Sequence, residues 1–445
     1  MHPTKMTRRT FTKAGAAAVA LSLTASQATQ VLGANDRIRV GFIGVANRGG
    51  QLINAFLENA GVEIVALCDV SKSTLERASA RVGGKAACCG DFRRLIDRRD
   101  VDAVVIATPD HWHAIQTITA CNAGKDVYVE KPLSITIHEG RRMVEVARRT
   151  KRVVQVGLHR RSSKLYAKAA EFIQADKLGK VTVSRCYQLS NMYPNGIGKA
   201  KPSDPPPDLD WDMWLGPRPL RPFQETIAPY KFRWWMPYSS QIANQGTHFL
   251  DAIRWMTGDL GPSSVCSLGG RFAVDDDRTI PDTMETVFQC PSGRLVIFGH
   301  YEANGNPALA QSGFAELRGT QGTAYLSDSV VKVIPERGGQ FQDHQPRMEP
   351  QDIKLTSAEA RGPANKNLSL TAQHARNFLD CMRSRALPNC DVEIGHRSTT
   401  YALLGNISLV TQSRLEWDAQ REVITNNQQA NELLHYEYRK PWTLE

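Results

Sequence analysis

Over the first third of the chain, short uninterrupted apolar runs alternate with stretches that read as helices. The runs at residues 37–43, 63–68, 102–107, 126–129 and 153–157 are mostly apolar, as expected of strands covered on both sides. The intervening stretches begin at Gln51, near His111 and at Thr136. Strand and helix in alternation predict a doubly wound parallel sheet over residues 35–160. The pattern then changes. Residues 181–188 alternate apolar and polar, and 283–290, 294–301 and 314–318 are further strand candidates. Pro291-Ser292-Gly293 and Gly319-Thr320-Gln321-Gly322 read as hairpin turns between neighbours, which favours antiparallel pairing. The predicted class is α/β, with a second α/β domain over 161–445 built on a mostly antiparallel sheet. Helices are expected at 373–379 and 397–410, the latter amphipathic and packing back onto the first domain.

Composition narrows the classes. The chain has 445 residues, enough for two cores, and its charged fraction of 22% is that of a globular protein. The formal net charge is +10; the first 34 residues hold four basic and no acidic side chains, which leaves +6 for the rest. With no Lys/Arg block or basic-aromatic strip, no nucleic-acid partner is expected. The nine cysteines lack metal-ligand spacing and read as small buried hydrophobes, so no metal is expected. Residues 1–34 read as an address. Arg8-Arg9 precede a modest apolar run, Ala14 to Leu23, that is too short to span a bilayer comfortably. That arrangement looks like a twin-arginine export signal, which predicts a periplasmic protein exported folded, with no stable membrane span once the signal is removed.

The candidate chemistry lies at strand ends. Gly44-Val45-Ala46-Asn47-Arg48-Gly49 joins the first strand to a helix in the G-x-G-x-x-G pattern, with Ala46 in the second place. Gly44 permits the tight turn, Gly49 lets helix pack on strand, and the helix N-terminus meets a diphosphate. Asp69, twenty residues after Gly49, is placed to accept the ribose hydroxyls of NAD and to repel a 2′-phosphate, although the nearby Lys72 leaves NADP open. Thr108-Pro109 closes the third of these strands, and His113, with His111 and Trp112, follows it toward the nicotinamide. Glu130-Lys131-Pro132 ends another strand and puts a cationic side chain at the sheet edge where ligands bind.

These segments, together with Asn244-Gln245-Gly246-Thr247-His248 and Asp251, resemble the glucose–fructose oxidoreductase/inositol dehydrogenase/MocA (Gfo/Idh/MocA) family. The resemblance runs from about Arg37 to the C-terminus. It implies a Rossmann domain, an open C-terminal sheet through which homodimers or homotetramers form, and a sugar, polyol or glycoside as substrate. It further implies that Lys131 contacts substrate and nicotinamide and that His248 moves the hydroxyl proton during hydride transfer to tightly bound nicotinamide. This chain has Asn244 where an aspartate commonly orients that histidine, so His248 is expected to be less basic. A similar arrangement occurs in NAD-dependent glycoside hydrolases, where hydride is removed and returned; Tyr193 or His248 would then be the base acting on carbon. A non-catalytic sugar sensor is the third reading. For the substrate, the Pro-rich segment 201–237 offers Trp214 and Trp235 for stacking on a sugar ring, or for clamping its own loop. Arg161, after the last strand of the first domain, is a further substrate candidate.

Overall fold

The computed structural model describes residues 37–360 and 368–445; the segment read as an export signal lies outside them. Six parallel strands form the first sheet: β1 (Ile38–Ile43), β2 (Val62–Cys68), β3 (Ala87–Cys89), β4 (Ala103–Ile106), β5 (Asp126–Val129) and β6 (Val154–Val156). Their order is β3-β2-β1-β4-β5-β6, so the chain reverses direction between β1 and β4 and opens a crevice at the carboxyl ends there. The interior strands are fully buried, which is why they read as unbroken apolar runs. The three-residue β3 escaped the sequence pattern because it is an edge strand too short to show a period.

One face of this sheet is covered by the helix Asn47–Leu57 and, from far along the chain, by Leu370–Ser384. Phe56, Tyr128 and Phe378 meet edge to face there, with centroids 5.7 to 6.4 Å apart. The amide of Asn59 donates to the Ala372 carbonyl at 3.0 Å, closing the seam. The other face carries His113–Asn122 and Ile137–Thr150; the latter starts with a capping box between Thr136 and Glu139.

The second sheet has eleven strands. β7 (Val181–Asn191) lies between β12 (Ala315–Gly319) and β10 (Leu295–Tyr301), and the β7–β10 pair is parallel. β8 (Ser264–Gly270), β9 (Thr283–Gln289), β13 (Gly322–Leu326) and β14 (Val331–Pro335) pair antiparallel, as the short turns predict. Alternate residues of β9 are buried and half-buried, so one face packs on helices and the other is partly open.

The helix expected at 397–410 runs over Val392–Thr411 and is not amphipathic. It is buried on nearly all sides because two domains clasp it. Near its start a side chain at Gly395 would strike Val156 of β6, and His396 sits against Gly140. Farther along, Tyr401 and Leu404 join the core of the second domain. Arg141 binds Glu393 and Glu422 together at this seam, at 2.7 to 3.0 Å. Among the described residues no helix is long and apolar enough to cross a membrane.

Candidate active site

At the end of β1 the chain turns through Gly44, whose φ of +80° suits glycine, and its N–H donates to the Cys68 carbonyl at 2.8 Å. A methyl at Gly49 would overlap the Gly44 carbonyl, lying 2.8 Å from its carbon, so helix and turn touch backbone to backbone. Ala46 is exposed and lines the crevice, leaving its methyl no clash inside the protein. Asp69 accepts from Val45 N–H at 2.9 Å and Ser71 N–H at 3.0 Å. Burial pushes its carboxyl up, and those backbone bonds oppose the push. It therefore braces the glycine turn as well as facing the crevice. A cavity of about 330 Å³ runs between these groups and is also lined by Asn47, Arg48, Thr108 and Pro109. The dimensions, the close-packed glycines, the free helix N-terminus and the carboxylate after β2 all suit NAD. Asn47 and Arg48 would meet its phosphates and Asp69 its ribose.

The Pro-rich segment is a strap over this cavity. Asp208 accepts from the hydroxyls of Ser71 at 3.1 Å and Ser73 at 2.6 Å, and its carbonyl takes the Lys72 N–H at 2.9 Å. Trp214 and Trp235 are 4% and 6% exposed, which corrects the expectation that they stack on sugar. Trp211 and Trp214 stack on each other at 4.7 Å, and the Trp235 indole donates to the Thr226 carbonyl at 2.6 Å. Their area holds the strap's own core together with Phe223, Phe232 and Tyr238. His111 and Trp112 are likewise spoken for: both ring N–H groups point at the Trp214 carbonyl, at 2.9 and 3.1 Å. Burial drives His111 down to about 3, so it is a neutral donor that fastens the strap. Removing the anchor, Asp208→Ala, takes away both hydroxyl bonds and is expected to speed NAD release roughly three- to ten-fold, a small factor because water competes for these groups, in a stopped-flow displacement measurement.

A second cavity, about 230 Å³, shares Asn47, Arg48, Ala107 and Thr108 with the first. Lys131 points into it from the end of β5. Its ammonium donates to both the backbone and side-chain oxygens of Asn244, at 2.8 and 2.7 Å. The widened π-helical turn Ile242–Gly246 presents that pair of oxygens. Asn244, read as a substrate residue at the place where an aspartate commonly orients the histidine, holds Lys131 instead. Burial lowers the Lys131 pKa to about 8, with Glu130 and Asp110 pulling the other way and Arg233 and Arg48 adding to the fall. Glu130 is buried and takes the Arg48 Nε–H at 2.8 Å. Burial would raise it, yet Arg48 and Lys131 hold it below the usual glutamate range.

His248 lines the same cavity, edge-on to His159 at 5.3 Å. Its Nδ1 is buried and has no partner among the described residues. Burial first, then the Lys131 charge, push its pKa well below 6.5, so the ring is neutral at pH 7 and offers a lone pair. His113 also borders the cavity, but its Nδ1 and Nε2 lie 2.7 and 3.1 Å from the carbonyls of Pro132 and Thr108, tying the Lys131 turn to the cofactor side.

Two other candidates lie elsewhere. Tyr193 is 62% exposed and lines neither cavity, so it has no geometry for acting as a base. Arg161 is buried in a bidentate pair with Asp251, at 2.8 to 3.1 Å, and stacks on Trp255. It locks the exit of β6 to the helix Thr247–Thr257 and does not reach the cavity. Conversely, Asp110, His159, Gln245, Tyr230 and Arg233 line the second cavity without having been expected there. Arg233 was hidden by the tryptophans beside it, Gln245 lies within the motif around His248, and the other three carry no local signal.

Comparison with known proteins agrees with this fold. A profile described as an oxidoreductase family, NAD-binding Rossmann fold, matches residues 38–158. A second, for the C-terminal alpha/beta domain of such oxidoreductases, matches 171–285 and 364–444. Among curated relatives, a glycosyl hydrolase family 109 protein of Shewanella sp. (strain W3-18-1) is 38% identical over 125 residues, 26% of this chain and 27% of the relative. One from Shewanella baltica (strain OS155 / ATCC BAA-1091) is 33% identical over 172 residues, 33% of this chain and 38% of the relative. The chain thus spans about a quarter to two fifths of the length of these relatives. Among solved structures, a levoglucosan dehydrogenase in complex with NADH and levoglucosan shares the fold with a TM-score of 0.65 at 18% identity, covering 85% of this chain and 99% of that one. The WlbA dehydrogenase of Bordetella pertussis, in complex with NADH and UDP-GlcNAcA, does so at 0.62 and 18%, covering 86% and 98%. With both of its domains matched and the whole fold shared, the chain belongs to the Gfo/Idh/MocA family of oxidoreductases with an NAD-binding Rossmann domain.

Proposed function

We propose that this protein oxidises a hydroxyl of a sugar, polyol or glycoside, held in the second cavity between Lys131 and His248. One observation carries the reading: the Lys131 ammonium, its pKa depressed, and the neutral His248 imidazole line one cavity that shares Asn47, Arg48, Ala107 and Thr108 with the dinucleotide crevice. NAD, when bound, supplies the acceptor for the hydride from the carbinol carbon. Lys131 has spent two of its three N–H donors on Asn244, and the third is available to the substrate oxygen. As the hydride departs, His248 takes the hydroxyl proton and Lys131 stabilises the negative charge on oxygen, leaving a carbonyl. Asp69 in the ribose position favours NAD over a cofactor bearing a 2′-phosphate.

A redox-neutral variant is favoured by the strap, which covers the crevice and would retain the cofactor through many turnovers. The names of the Shewanella relatives point the same way. Transient oxidation acidifies the neighbouring C–H, elimination expels the aglycone, water adds across the resulting enone, and return of the hydride would restore the alcohol. Purified protein scanned in the near ultraviolet against a sugar panel should show reduction of bound nicotinamide. Incubation with p-nitrophenyl glycosides and no added NAD should release nitrophenol if the cleavage variant holds. Silence in both assays across the panel would sink the catalytic reading and favour a sensor.

The proposal extends to location and assembly. The Arg8-Arg9 segment supports export in the folded state, with NAD already loaded, to the periplasm. The half-open face of the second sheet supports a homodimer or homotetramer.

A further inference from the structure

Arg233 is a cation of the site that is held by a carbonyl and two rings and not by a carboxylate. It lines both cavities. Its guanidinium donates to the Tyr230 carbonyl at 2.8 Å and lies over the rings of Tyr230 and Phe232, at 4.2 and 4.4 Å. Among the described residues no carboxylate pairs with it, whereas Arg48 has Glu130, Arg161 has Asp251 and Arg278 has Asp276. It is nevertheless close enough to the centre for its charge to act on Lys131 and Asp110.

The fold goes to some length to hold Arg233 there. On its C-terminal side the Trp234 indole donates to Glu302 at 2.8 and 3.0 Å, and the Trp234 carbonyl takes the Thr279 N–H at 2.9 Å. Glu302 is in turn fixed by Arg278, which is wholly buried and also paired with Asp276. On the other side Lys231 donates to the Ile197 carbonyl at 2.8 Å. The backbone on both sides of Arg233 is thus fixed at the cavity, and the half-buried guanidinium is held there by the Tyr230 carbonyl and the two rings. Three cationic side chains, Arg48, Lys131 and Arg233, face two carboxylates here, and Glu130 is already committed to Arg48. A neutral sugar filling this cavity would strip water from Arg233 and return no counter-charge.

We infer that Arg233 is a specificity residue that binds an anionic group, a carboxylate or a sulfate ester, on the sugar, so that the preferred substrates are acidic sugars or their glycosides. Planar guanidinium recognition of such groups is bidentate and charge-assisted. The inference rests on the catalytic reading above only for the word substrate; binding tests it separately.

The test is titration calorimetry of the full NAD-loaded protein with matched sugars: glucuronate against glucose, galacturonate against galactose, and galactose 6-sulfate against galactose. Wild type should bind at least one acidic member ten- to a hundred-fold more tightly than its neutral partner. Arg233→Met should reduce that ratio to near one with bound NAD undiminished, and Arg233→Lys, which keeps the charge but loses the fork, should restore part of it. Equal affinity for both members of every pair, or no binding of any acidic sugar, overturns the inference. So does an Arg233→Met protein that loses NAD but keeps its sugar preference; Arg233 would then serve the cofactor diphosphate. If acidic sugars bind with the expected preference yet never reduce nicotinamide or release nitrophenol, Arg233 keeps its role and the catalytic reading falls. If neutral sugars react as well as acidic ones and Arg233→Met changes neither, the converse holds.

Discussion

Lys131→Ala is expected to lower turnover by about three orders of magnitude while the protein stays loaded with NAD. The reason lies in what the side chain touches. Its ammonium is fastened to two oxygens of Asn244 and faces the substrate cavity, whereas the cofactor turn is held by Gly44, Gly49 and Asp69 without it. Turnover on the reactive sugar, set against nicotinamide content after gel filtration, separates the two effects; parallel loss of both would make Lys131 a cofactor ligand only. The pKa of about 8 gives the signs. The charged form stabilises the substrate oxygen, so kcat/KM should fall as pH rises through about 8. Lys131→Arg, slower but always charged, should lose that alkaline limb. The acid limb should lie well below 6.5, because His248 stays neutral there. Stability carries its own sign. The folded state depresses this lysine from 10.5 to about 8, so between those values the unfolded chain binds more protons. Wild type therefore gains stability over Lys131→Met as pH rises from about 8 toward 10.5, a difference denaturant titration at several pH values measures.

Gly49→Ala is expected to damage stability and cofactor binding together. The added methyl would fall on the Gly44 carbonyl, which is backbone and cannot rotate away. The helix Asn47–Leu57 must then move off β1, at a cost of about 1–3 kcal/mol in stability, and its N-terminus leaves the diphosphate. NAD affinity should drop by about a hundred-fold or more, since the turn and the helix dipole act on the same group. Ala46→Gly is the matched control. That methyl already faces the crevice, so its removal should leave NAD binding equal or tighter. Calorimetric titration of the two variants settles the comparison, and an unchanged affinity in Gly49→Ala would mean the turn tolerates a displaced helix.

Much of this site could be read from linear order because its parts are local. Gly44, Gly49 and Asp69 sit at fixed offsets around one strand, a turn and the next strand, and a parallel sheet brings those ends together whatever follows. Lys131 was legible for the same reason, as a side chain at a strand end closed by proline. The misplaced residues were judged by type alone. Tryptophan is equally suited to a sugar or to another tryptophan, and only packing shows that Trp214 and Trp235 are consumed by the strap. Arginine is equally suited to a substrate or to an aspartate, and Arg161 has Asp251.

What the chain dictated by itself was therefore the α/β class, the position of the dinucleotide turn and the lysine beside it, since burial on both faces and backbone sterics leave marks at short spacing. Tertiary structure decided everything that depends on partners distant in sequence. It gave Asn244 to Lys131 rather than to His248, across 113 residues. It buried the helix Val392–Thr411 on nearly all sides, and it brought Arg233 to the cavity with no carboxylate paired to it among the described residues. Charge and hydrogen-bond demand are set by what lies within a few ångströms in space, and a sequence does not order its residues by that distance.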